Sequence, residues 1–187
     1  MNRLRLLPLL LLPLVGWAQI NQEPLQQSLN TIRMQISTDA VAETYTSAQM
    51  RTEIDEARGR LAFVVPLATF HNRTDTTISL NVAPWFEQPP AAPYLTIYLP
   101  LPRGEMSSDK YQSRVSRELP AEIYLGEISF DIPVTLEGIF VEQIGALIFN
   151  LTGQVDLRRA LGTTYQPALP QTIDLVVEGA RLYDLPE

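Results

Sequence analysis

Residues 59–70 read GRLAFVVPLATF and are apolar at nearly every position. Along a strand, successive side chains point to opposite faces. That sets Leu61, Phe63, Val65 and Leu67 on one side and Ala62, Val64, Ala68 and Phe70 on the other. A strand with one face in water alternates apolar with polar residues, so a stretch apolar on both faces needs cover on both. Pro66 has no amide donor and belongs at an edge or a bulge. The expectation is an edge-like strand whose outer face is covered by residues Pro24 to Leu29, by a neighbouring loop, or by a second copy in a homodimer through strand 59–70.

Working outward, period-two alternation recurs along the chain. Ile32, Met34 and Ile36 alternate with Arg33, Gln35 and Ser37, and Ile78, Leu80 and Val82 with Thr77, Ser79 and Asn81. Leu95, Ile97, Leu99 and Leu101 alternate with Tyr94, Thr96 and Tyr98, ahead of Pro100 and Pro102. The same pattern runs through Ile128–Leu136, Leu147–Val155 and Ile173–Val177. It predicts strands with one buried face. Between them, DEARG (55–59) reads as a hairpin connection, Glu137-Gly138 as a tight turn, and RGEMSSDKYQSRVSRELP (103–120) as a long polar connection. DLRRALG (156–162) predicts a short helical turn with Asp156 as N-cap and Gly162 beyond its end. The fold class is all-β, an antiparallel β-barrel or a β-sandwich, and alternation alone does not separate the two.

Residues 1–18, MNRLRLLPLLLLPLVGWA, have a basic start at Arg3 and Arg5, an apolar run from Leu6, and the small residues Gly16 and Ala18 at the end. This predicts a signal peptide cleaved before Gln19, leaving 19–187 as a single domain in the periplasm or outside the cell. The run is shorter than the roughly 20 residues that span a bilayer, and Pro8 and Pro13 interrupt it. No integral membrane span is expected after cleavage. The chain has no cysteine, which excludes disulfides and thiolate metal sites. Its formal charge of −7 becomes −9 without Arg3 and Arg5, a balance that disfavours nucleic acid and anionic membranes.

Chemistry-bearing residues are few. His71 is the single histidine, so a multi-histidine metal site is impossible. With Asp75 and a hydroxyl residue it matches no hydrolase motif, since neither a Gly-rich elbow nor an oxyanion element is nearby. Glu53, Asp55 and Glu56 cluster without the spaced oxygen ligands of a calcium loop. NRT (72–74) and NLT (150–152) match the glycosylation sequon, the second inside a predicted strand. Trp85 and Phe86 stand in a proline-rich loop, either at a cavity mouth in contact with ligand or plugging one end of the core. No catalytic residue, metal ligand or cofactor is predicted, and the chain is read as a non-enzyme.

The order of these features resembles the YceI-like group of exported proteins. The resemblance is carried by Gly59, Leu61, Phe63, Val65, Pro66, Leu67 and Phe70, then by Trp85-Phe86-Glu87 and Pro93-Tyr94-Leu95-Thr96-Ile97. The strand from Gly126 to Leu136 and two further strands at 147–155 and 172–182 complete it, over about residues 31 to 182. Members often carry a His-Gly pair where this chain has Phe130 and Asp131. The resemblance implies a lipocalin-like antiparallel barrel, and some members hold polyisoprenoid lipid inside it. The lining expected here is the inward alternation set Phe63, Val65, Leu95, Ile97, Phe130, Ile132, Leu147 and Phe149, with Trp85 and Phe86 at the mouth. The partner is then a lipid or isoprenoid-like molecule held without catalysis. The competing expectation is a structural or adhesive β-domain of the cell envelope with a solid core.

Overall fold

The structure is a computed structural model describing residues 30–38, 41–55, 57–86 and 93–183. All but one of the alternating stretches become strands, the opening stretch supplies another, and four more join them. The strands are β1 (Thr31–Ser37), β2 (Ala42–Ser47), β3 (Arg51–Asp55), β4 (Arg60–Pro66), β5 (His71–Asn72), β6 (Tyr94–Leu99), β7 (Val115–Leu125), β8 (Ile128–Val141), β9 (Ala146–Asp156) and β10 (Thr172–Leu182). A short helix, α1 (Leu157–Leu161), follows β9. Every pairing is antiparallel, in the order β3-β4-β6-β7-β8-β9-β10-β1-β2-β5. The sheet curls into a half-barrel of the lipocalin-like kind, with the inward residues of its strands in one apolar cluster from Ile32 to Leu182.

The curl brings the sheet back onto itself. β1 pairs with β10 only as far as Glu178, and β3 packs beside β10 with no hydrogen-bonded ladder between them. The connections from β2 to β3 and from β4 to β5 both cross between the two ends of the sheet. They are tied together: Thr69 Oγ1 donates to the Pro66 carbonyl at 2.7 Å and, at 2.6 Å, accepts from Ser47 Oγ.

GRLAFVVPLATF is not one strand. β4 ends at Pro66, and Leu67–Thr69 form a 3₁₀ turn before β5. The turn changes the phase, so Phe70, expected on the outer face, is fully buried in the core, while Ala68 is exposed. β4 is also internal, between β3 and β6. Pro66 is tolerated because the β3–β4 ladder stops at Arg51↔Val64, short of it. On the outer face Ala62 is 2% exposed. It lies opposite Tyr98, and the Arg60 guanidinium extends over that ring, 5.9 Å from its centroid. Long side chains of the same sheet therefore lie over it; residues Pro24 to Leu29 fall outside the described residues, as do 1–18.

Other expectations are corrected. Ile78, Leu80 and Val82 form no strand: only an isolated bridge, His71↔Ser79, is present, and Ile78 is 48% exposed. Glu137-Gly138 is not a turn, since β8 runs straight through it and the chain reverses at Glu142–Gly145. The polar connection 103–120 is instead two 3₁₀ turns that bury Met106 and Tyr111, followed by β7 from Val115. Pro120 and Pro133 face each other across β7 and β8. The β6–β7 ladder stops at Glu122 and the β8–β9 ladder at Val134, so neither missing donor leaves an acceptor on a flanking strand. The helical turn stands as expected: the Arg159 amide donates to Asp156 Oδ1 at 3.0 Å, and Gly162 caps the far end.

Candidate functional site

The inward alternation set reaches the interior. Phe63 is opposite Ile97 and Val65 opposite Leu95 between β4 and β6. Phe130 pairs with Ile123, and Ile132 with Ala121, between β8 and β7. Phe149 on β9 lies between Gly138 of β8 and Ala180 of β10, and Leu147 between Phe140 and Leu182. All eight are buried members of one cluster with Trp85, and Phe86 is partly buried against it. The two aromatics divide their work. Trp85 enters the core from a 3₁₀ turn, whereas Phe86 covers Gly126 at the β7–β8 turn, where a Cβ would fall 2.8 Å from its ring.

The chain also closes one end of the half-barrel with residues that the polar appearance of 103–120 conceals. Tyr111 is 1% exposed. Its ring packs edge-on to Phe149, with centroids 5.7 Å apart and planes at 89°. Gly138 makes room for it, because a Cβ there would be 2.6 Å from Tyr111 Cε1. The Tyr111 hydroxyl is buried without a hydrogen-bond partner, and burial raises its pKa. Arg117, on the same side of β7 as Ala121 and Ile123, lies over the Tyr111 ring at 5.7 Å and donates to Glu105 Oε2 at 3.2 Å. Lys110 Nζ stands 3.2 Å from Glu105 Oε1. Hydrogen bonds from Lys110 and Arg117 hold the Glu105 carboxyl below the usual carboxylate range. This end therefore combines an apolar interior with one buried hydroxyl and two cations balanced by a single carboxylate. The alternation Val115, Arg117, Leu119, Ala121, Ile123, Leu125 was the available sequence signal.

The other candidates are each engaged in local contacts. His71 is exposed, with Nδ1 3.3 Å from Ser79 Oγ. Asp75 accepts from the Thr77 hydroxyl at 2.6 Å and the Thr77 amide at 3.0 Å, bonds that lower its pKa and commit it to a turn. Asp55 is engaged by Arg58 at 3.3 Å, and Glu56 lies outside the described residues. Asn150 of the second sequon is in β9, where its Oδ1 accepts from the Gly179 amide at 2.9 Å in the bulge of β10. Among the described residues no group of three or more His, Asp or Glu is placed to hold a metal ion. No helix among them is long and apolar enough to cross a membrane.

No protein-family model matches the chain, and no curated protein does. Among solved structures, it is similar to a polyisoprenoid binding domain from Saccharophagus degradans implicated in plant cell wall breakdown. The two share 13% sequence identity with a TM-score of 0.58, over 84% of this chain and 94% of the other. At that identity the likeness is one of fold.

Proposed function

We propose that this chain is a non-catalytic, exported binding protein that takes a long apolar ligand of isoprenoid type between the inward faces of its strands. The observation that carries the reading is the continuous apolar interior bounded by a ladder-free seam. Parting β3 from β10 breaks side-chain contacts but no ladder hydrogen bonds, so a chain-like ligand has a low-cost way in. The inward side chains pack against one another in one cluster, so entry requires them to re-pack. Met34, Met50 and Met106 are buried there, and methionine re-packs more readily than branched residues. Each methylene transferred from water contributes about 0.8 kcal/mol, so an isoprenoid needs no charged anchor. The fold it shares with a polyisoprenoid binding domain supports the same reading.

The test is titration of delipidated protein with a long-chain polyprenol, read by native mass spectrometry and by Trp85 fluorescence. A one-to-one complex with altered emission is expected, and a protein that never takes up polyprenol overturns the proposal. Export is tested by whether the mature chain begins at Gln19. A solid-core envelope domain is the second reading, favoured by the filled interior and by grooves on the outer faces of the sheet. It predicts no uptake. A homodimer through 59–70 would have to use the half-buried Val64 and Pro66 on the outer face of β4, and light scattering of the purified chain tests it.

A further inference from the structure

The outer face of β4, β6 and β7 carries a groove of about 470 Å³ lined by Arg58, Arg60, Thr96, Tyr98, Glu122, Tyr124 and Gly126. The register assembles it: Tyr98 is opposite Glu122, and Thr96 opposite Tyr124. Its polar groups are organised in advance. Tyr124 donates to Glu122 Oε1 at 2.5 Å, and Arg60 pairs with Glu122 Oε2. Arg60 lies over the Tyr98 ring, and the Tyr98 and Tyr124 rings meet edge to face at 5.8 Å and 87°. A second groove of about 390 Å³ shares Arg60, Tyr98 and Glu122 and continues over Pro100, Pro120, Ala121 and Asp131. The two form one elongated trough, on the opposite side of the sheet from the apolar interior.

Charge balance selects what fits. Arg60 is matched by Glu122, and Arg58 by Asp55. An anion would meet Glu122 and Asp131, a cation would meet both arginines, and a lipid tail would strip water from all of them. A neutral ligand rich in hydroxyls suffers none of these penalties. A carboxylate offers about four acceptor sites and a guanidinium five donors; the bonds made within the groove leave part of that capacity open. Among the described residues the Tyr98 hydroxyl makes no hydrogen bond. Tyrosine rings supply flat amphipathic walls for the C–H face of a sugar ring. We infer that this trough binds a neutral oligosaccharide, independently of the interior and its ligand.

The experiment is an NMR and calorimetric titration of the whole chain with cellotetraose, maltotetraose and mannotetraose, and with a uronic-acid tetramer as the charged comparison. At least one neutral tetrasaccharide is expected to bind at millimolar affinity or better, shifting resonances of β6 and β7. Tyr98→Ala should weaken it about tenfold, the loss of one stacking wall. Glu122→Gln, nearly isosteric, should weaken it less while the circular dichroism spectrum stays unchanged. Polyprenol uptake, where the wild-type chain shows it, should survive both substitutions. No binding of any neutral tetrasaccharide, tighter binding of the uronic acid, or binding indifferent to Tyr98→Ala in a folded protein would overturn the inference.

Discussion

Gly138 shows how a single residue can be read two ways. Beside Glu137 it resembles a turn, yet its backbone continues β8, and its missing Cβ is space occupied by Tyr111. An added methyl would meet Tyr111 Cε1 at 2.6 Å and Phe149 Cδ1 at 3.0 Å. The Tyr111 ring is held from one side by Phe149 and overlaid by Arg117, so it has little room to yield. Gly138→Ala should therefore cost about 1–3 kcal/mol in urea denaturation, the usual scale of overpacking. Gly104→Ala, where nothing lies within 4 Å of the new methyl, should change stability little. The same ring gives a second expectation of opposite sign. The Tyr111 hydroxyl is buried and unpartnered, and an unmade hydrogen bond of that kind is costly. Tyr111→Phe should leave the urea midpoint unchanged or raise it. A lowered midpoint would show that the hydroxyl finds a partner in solution.

Among the elements, strength follows how completely each strand is paired. β8 and β9 are long and bury alternate residues along most of their length; β8 is paired with β7 over Ile128–Gly138 and with β9 over Val134–Val141, and β9 lies between β8 and β10 for most of its length. β3 has five residues, a single ladder to β4 and no fully buried side chain. Local opening begins where buried apolar contacts and shared hydrogen bonds are few. Hydrogen exchange should therefore release the β3 amides first and those of β8 and β9 last, and equal protection across them would contradict the seam. The same contrast explains which strands the sequence discloses. β1, β6, β8, β9 and β10 bury one face against one core, so their alternation is plain. β7 carries Arg117 inward and Pro120 in mid-strand, and β2 and β3 bury too little to alternate clearly. The run 78–82 alternates but remains a loop, since the strand beside it, β5, has two residues and meets it only at the His71↔Ser79 bridge. The inward aromatic and aliphatic set was legible from period alone. The outer trough was not, because its residues come together only through the register of β4, β6 and β7.

At the scale of the whole molecule, the response to pH follows from groups whose surroundings favour one protonation state. The Glu122 carboxyl is held below its usual range by the Tyr124 hydrogen bond and by Arg60. Glu105 is lowered by Lys110 and Arg117, and Asp75 by Thr77. A carboxyl whose folded pKa is depressed releases its proton more readily in the folded chain. Its stabilisation is complete above the unfolded value and disappears as pH falls through the folded one. Tyr111 and Tyr45 shift the other way: burial raises both, and the hydrogen bond to Glu43 raises Tyr45 further. A raised phenol stabilises fully below its unfolded value, and that contribution is lost as pH climbs beyond about 10. Thermal midpoints should therefore form a plateau between these limits, falling on the acid side below about pH 4.5 and on the alkaline side above about pH 10. Asp75 is exposed and Glu105 and Glu122 are in part open to solvent, so salt screens them and the acid arm should be shallow. Glu122→Gln combined with Glu105→Gln should flatten it further, and should also soften the alkaline arm, because Glu122 raises the Tyr124 phenol and Glu105 helps to raise that of Tyr111, while the part owed to Tyr45 remains. Differential scanning calorimetry from pH 3 to 11 reads both arms, and an acid arm unaltered in the double variant would assign it to other carboxylates.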